Sequence, residues 1–90
     1  MSVGKDYTVL VTIENKKFIN DPEGKTIFQD LILKSRYLQI KSVRTAKVLK
    51  LTVDAETANE ATEIVKKMCD DLRIFNPIVS DCKVSISDQY

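Results

Sequence analysis

The chain has 90 residues, of which 43% are hydrophobic and 30% charged, and its net charge is +1; that is the composition of one small globular domain spanning 1–90, not of a disordered segment. It holds no histidine, two cysteines and two glycines, which excludes a histidine-based nucleophilic triad, an ordinary zinc site and a glycine-rich phosphate loop. A chain this short hides only about 60–65% of the surface its unfolded form exposes, so self-association is the expected route to burying more.

The opening residues Met1 to Asp6 lack a basic region followed by an apolar run, and no apolar stretch approaches the roughly 18 residues that a bilayer crossing needs. The expected location is the cytoplasm, without membrane contact. Tyr7 to Ile13 is β-rich and alternating, with Tyr7, Val9, Val11 and Ile13 on one face and Thr8, Leu10 and Thr12 on the other. Leu10 gives the second face apolar character, so this strand belongs at the centre of a sheet. The charged run Glu14-Asn15-Lys16-Lys17 ends it.

Asp21 before Pro22 starts a helix. The carboxylate can accept from first-turn N–H groups, and proline at the first helical position loses no hydrogen bond. Glycine normally weakens a first turn, so Gly24 points to close approach of other backbone. Ile27, Phe28, Leu31 and Ile32 follow at helical spacing and are expected to turn one face into the core, with the helix ending near Ser35. Leu38 to Ala46 reads as a strand of imperfect alternation, since Ile40 and Val43 lie three apart and share a face only across a bulge. Leu49, Leu51 and Val53 then point inward and Val48, Lys50 and Thr52 outward, so the two strands are expected to form a hairpin turning near Ala46-Lys47.

Thr57 and Glu60 fit a capping box at the start of a second helix. Its apolar stripe comprises Ala58, Ala61, Ile64, Val65, Met68, Cys69 and Leu72. Asn76-Pro77 stops the helix and turns the chain. Cys82, Val84 and Ile86 then alternate with Lys83, Ser85 and Ser87 as a last strand. Both cysteines lie on apolar faces and read as buried free thiols in a reducing compartment. The order β-α-β-β-α-β predicts an α+β, ferredoxin-like domain: a four-stranded antiparallel sheet with both helices on one face. The other face stays open, and its apolar content argues for a partner.

Little here can carry chemistry. Asp70 and Asp71 are adjacent on a helix and diverge by about 100°, so they read as a solvated face. An RNA-recognition module of the same fold needs stacking aromatics on its central strands, and only Tyr7 is there. Between Lys34 and Lys50 lie six basic residues and no acid. Lysines protecting a sheet edge are the favoured reading of that run, with a docking surface or a phosphate contact as alternatives. Arg44 and Lys47 are the best placed for a specific polar role, although from the residues alone exposed hairpin charge is the favoured reading of both.

Three segments at element junctions then stand out in order: Asp21-Pro22-Glu23-Gly24, Arg44-Thr45-Ala46-Lys47, and Cys69 with Leu72 running into Asn76-Pro77-Ile78-Val79. Together they resemble PurS, the small accessory subunit family of phosphoribosylformylglycinamidine synthase, over nearly the whole chain. Ala46 stands where that family usually has glycine, Ser80 where it usually has glutamate, and Phe75 where it is usually small. The resemblance implies a non-catalytic subunit of a purine-biosynthesis enzyme. Such a subunit forms dimers or tetramers, brings the ATP-dependent ligase and the glutamine amidotransferase chains together, and assists ammonia transfer. ATP, magnesium and glutamine are then used by the partner subunits, with no cofactor, metal or nucleic acid expected on this chain. Asp21, Pro22, Gly24, Arg44, Lys47, Asn76 and Pro77 are the candidate partner-binding residues. The runner-up reading is a regulatory domain that binds a small metabolite.

Overall fold

The computed structural model describes residues 4–87, and the chain is drawn out to 59 × 29 × 14 Å. Its centre is β1 (Lys5–Asn15), the strand expected from the Tyr7–Ile13 alternation and four residues longer. β2 (Ala46–Ala55) and β3 (Ser80–Ser87) both pair antiparallel with β1, giving the order β2-β1-β3. The register sets Val9 opposite Leu51 and Ile86, and Val11 opposite Leu49 and Val84. One sheet face is therefore a continuous apolar layer. Ala61, Val65 and Cys69 of α2 (Ala58–Asp71) lie in the same buried cluster and cover that layer. Val9, Val11 and Val65 are fully buried, and each contributes about 1.5–3 kcal/mol by leaving water. The opposite face carries Thr8, Leu10 and Thr12 between Lys50 and Thr52 of β2 and Lys83 and Ser85 of β3.

α2 begins as its sequence demands. The Thr57 side chain accepts from the Glu60 N–H at 3.1 Å. The Glu60 carboxylate reaches the Glu56 N–H, one residue before the position a strict capping box uses. The helix ends with Arg73 in a left-handed conformation, φ 51°. The apolar stripe is wider than the face that packs: Ala61, Val65 and Cys69 are buried, whereas Ile64 and Leu72 stay exposed.

The four-stranded ferredoxin-like sheet is not what forms. Among the described residues there is one three-stranded sheet with two helices, still an α+β fold. The expected strand over Leu38–Ala46 is absent: only Ala46 of it joins the sheet, as the first residue of β2. No hairpin turns at Ala46-Lys47, because β2 pairs with β1 and not with the residues before it. The cause lies at the end of that segment, where side-chain hydrogen bonds hold Arg44 and Thr45 to the loop after β1. That anchorage keeps the chain off the outer edge of β2. β2 is thus an edge strand, the setting in which the lysine-protection reading of Lys47 and Lys50 applies.

The first helix departs further. α1 (Pro22–Thr26) continues as a π-wound stretch over Ile27–Ile32, closed by a 2.8 Å bond from the Leu33 N–H to the Phe28 carbonyl. It packs on no strand, so α2 alone covers the sheet. Ile27, Phe28, Leu31 and Ile32 do not enter the core, and Leu31 is 66% exposed. Residues 17–44 thus form an arm that leaves the body at one end of β1.

Candidate functional site

The base of the arm is where the notable polar residues meet. Asp21 caps α1, its Oδ1 accepting from the Gly24 N–H at 3.0 Å. The same carboxylate accepts from the Thr45 N–H and, at 2.8 Å, from the Thr45 hydroxyl. These N–H and O–H donors hold its pKa below the usual carboxylate range: the Thr45 N–H contributes most, then the Gly24 N–H and the Thr45 hydroxyl, with Arg44 adding charge. A Cβ on Gly24 would stand 2.8 Å from the Val43 carbonyl oxygen and 2.9 Å from Asp21 Oδ2. The close backbone approach anticipated at Gly24 is therefore real, and it is to the segment leading into β2. Pro22 occupies the first turn, as expected.

Arg44 closes the other side. One guanidinium nitrogen donates to the Ile19 carbonyl at 3.1 Å, and another donates to the carbonyls of Asn15 and Lys16 at 3.2 and 3.1 Å. A rigid planar fork suits this work better than an ammonium group. Arg44 is therefore committed to three carbonyls of its own chain. Lys47, one strand position beyond Ala46, is exposed. Ala46 needs no left-handed backbone, since it is the first paired residue of β2, opposite Glu14.

The Asn76-Pro77 turn reaches the same place from the other direction. The Asn76 side chain accepts from the Ile78 N–H at 3.0 Å, and its carbonyl accepts from the Val79 and Ser80 N–H groups. The turn then joins β1: the Lys16 N–H donates to the Val79 carbonyl at 2.9 Å, and the Ser80 hydroxyl donates to Asn15 Oδ1 at 3.0 Å. Lys16 also stands 3.8 Å from Asp81. Candidate residues spread over more than fifty positions thus converge around Asn15 and Lys16. Sequence reasoning passed over Asn15, Lys16 and Thr45. A charged run ending a strand gives no hint that its carbonyls will be clamped, and the only signal was the charge break itself.

Two clefts flank this hub. One of about 610 Å³ is lined by Ile13, Asn15, Glu23, Thr45, Ala46 and Lys47. The other, of about 280 Å³, is lined by Glu14, Asn15, Lys16, Lys17, Arg44 and Asp81. Neither gathers a nucleophile with a base, and among the described residues no cluster of three or more acidic, cysteine or histidine side chains could hold a metal ion. No helix among the described residues is long and apolar enough to cross a membrane. What the geometry builds is a braced junction between a packed body and an apolar arm.

A family model for PurS, described as phosphoribosylformylglycinamidine (FGAM) synthase, matches residues 8–88. The chain belongs to that family. The PurS subunit of phosphoribosylformylglycinamidine synthase from Thermotoga maritima is 34% identical over 78 residues, 87% of this chain and 93% of its own. The PurS subunit from Methanocaldococcus jannaschii is 30% identical over 89% of this chain and 94% of its own. The crystal structure of the Thermotoga maritima PurS subunit aligns with a TM-score of 0.81 at 29% identity, covering 96% of this chain and 97% of that one. The PurS relatives also include a chain in the structure of PurLQS from Thermotoga maritima, with a TM-score of 0.77 at 30% identity over 92% of this chain and 99% of that one. PurS family membership makes this chain a subunit of the synthase of purine biosynthesis, as the ordered motifs implied.

Proposed function

We propose that this PurS chain has no active site of its own and works by assembly. It associates with itself through the arm, as a dimer or tetramer, and that oligomer brings the ATP-dependent ligase and the glutamine amidotransferase of the synthase together in the cytoplasm. ATP, magnesium and glutamine are handled by those partners, and ammonia made by one is passed to the other within the assembly. The observation that carries this reading is the state of the arm. Phe18, Leu31, Tyr37 and Leu38 are all more than 60% exposed, and the helical part of the arm that holds Leu31 packs on no strand; apolar surface of that kind marks an interaction site. The PurLQS structure is that of a relative, and the fold match there extends over 92% of this chain.

In this proposal Lys47 and the Asn76-Pro77 turn are the docking elements for the larger chains, while Asp21, Pro22, Gly24 and Arg44 hold the base of the arm in shape. The test separates the two roles. Leu31→Ser combined with Leu38→Ser is expected to shift sedimentation toward the single chain. Lys47→Ala is expected to leave self-association intact and weaken co-elution with the ligase and amidotransferase chains. Wild-type protein that sediments as a single chain at micromolar concentration and ignores both larger chains would sink the proposal.

The metabolite-binding alternative finds its best place in the cleft of about 610 Å³ beside Glu23, Thr45 and Lys47. It predicts a saturable heat of binding when purine-pathway nucleotides are titrated into the isolated protein. The assembly reading predicts none.

A further inference from the structure

Away from the arm, the two cysteines face one another across the packed layers. Cys69 lies on the buried side of α2, 2% exposed, and Cys82 lies on β3, half-buried, opposite Ile13 of β1. α2 packs directly on β3, both cysteines belong to the same apolar cluster, and both are free. They also share a cleft of about 220 Å³, lined by Lys66, Cys69, Asp70, Phe75, Cys82 and Val84. Burial pushes the Cys69 thiol up, and the adjacent Cys82 thiol, through charge and a hydrogen bond, raises it further. Cys69 therefore waits as a neutral thiol beside a more accessible one.

We propose that Cys69 and Cys82 form a dithiol site that a small-molecule disulfide, such as glutathione disulfide, converts reversibly to an intramolecular disulfide. The cleft admits the oxidant to Cys82. The Cys82 thiolate attacks one sulfur of the small disulfide, whose S–S bond breaks as a new one to Cys82 forms, and one small thiolate leaves. The Cys69 thiolate then attacks the Cys82 sulfur, closing the Cys69–Cys82 bond and releasing the second small thiolate. Two electrons pass from the cysteine pair to the small disulfide, and the two cysteine protons end on the released thiols. Cys69 is too buried to meet the oxidant itself, so the order of events is set by exposure. The product ties α2 to β3 and closes a short loop containing Arg73 and the Asn76-Pro77 turn. This inference does not rest on the assembly reading, since neither thiol lies on the arm, although the loop it closes carries the Asn76-Pro77 turn that the reading uses for docking.

The test is incubation of the full native chain with glutathione disulfide, followed by intact-mass analysis and peptide mapping. The expected product is a monomeric chain lighter by two hydrogen atoms, with Cys69 and Cys82 in one cross-linked peptide pair. Its melting midpoint should be higher by roughly 10 °C, and dithiothreitol should reverse both changes. Cys69→Ala should stop at a glutathione adduct on Cys82, and Cys82→Ser should leave Cys69 unmodified in the folded protein. Three results would each overturn the proposal: wild-type chain that stops at the same mixed adduct, chains linked to each other through cysteine, or reaction only after unfolding.

Discussion

The body and the arm use similar apolar residues to opposite ends. In the body, Val9, Val11, Ala61, Val65 and Cys69 lock β1 under α2 and are shut away from water. In the arm, Phe18, Leu31, Tyr37 and Leu38 keep most of their surface in contact with it. Hydrophobicity alone does not distinguish the two sets. The difference is geometric: alternation on β1 and helical spacing on α2 present flat faces to each other within one chain, whereas the arm is directed outward by its own braced base. Apolar residues that the chain cannot cover for itself are those available to another surface.

That contrast can be broken most severely inside the body. Val65→Ala opens a cavity beneath α2 and should cost about 2–4 kcal/mol, read as a lower denaturant midpoint at every protein concentration. A loss that vanished at high concentration would mean that the body, like the arm, depends on other copies.

A smaller effect is expected at the joint. Arg44→Ala removes the donors that hold the carbonyls of Asn15, Lys16 and Ile19. Because the clamp is exposed, the cost should be about 1–2 kcal/mol. It should appear as faster hydrogen exchange at the Gly24 and Thr45 amides, with the amides of β1 and α2 unchanged. Faster exchange throughout the sheet would show that body and arm are one cooperative unit.

Acid should produce the mildest change. The folded state holds the Asp21 pKa below its ordinary value, so its stabilisation is present above the unfolded carboxylate range and is lost as pH falls through the depressed folded value. Asp21→Asn should therefore flatten the acid limb of a stability profile and lower stability at neutral pH. A variant whose acid limb matches wild type would remove Asp21 from the account of the joint.

Much of the body was legible because its signals are local and periodic. The Tyr7–Ile13 alternation, the Thr57 cap and the Asn76-Pro77 turn lie where they were expected. Of the expected 58/61/64/65/68/69/72 stripe, however, only Ala61, Val65 and Cys69 are buried, and the helix stops at Asp71, before that turn. The Asp21-Pro22 start and the close approach at Gly24 were also readable, since cap chemistry and a missing Cβ act over a few residues. The segment from Leu38 to Thr45 was not legible. Its β-branched and apolar residues suit a strand, but the bonds that keep it out of the sheet come from Asp21 and from the Asn15, Lys16 and Ile19 carbonyls, more than twenty positions earlier.

By itself, the order of residues determined the central strand, the covering helix, the helix caps and the family, because periodicity, capping and motif order are properties of neighbours along the chain. Only the tertiary structure decided that the sheet stops at three strands and that α1 stands clear of it. It alone also decided that Arg44 and the strand start after the Asn76-Pro77 turn meet at Asn15 and Lys16, with Asp21 tied in through Thr45. Pairing partners and packing faces are chosen by competition among distant groups, and no local pattern records which of them wins.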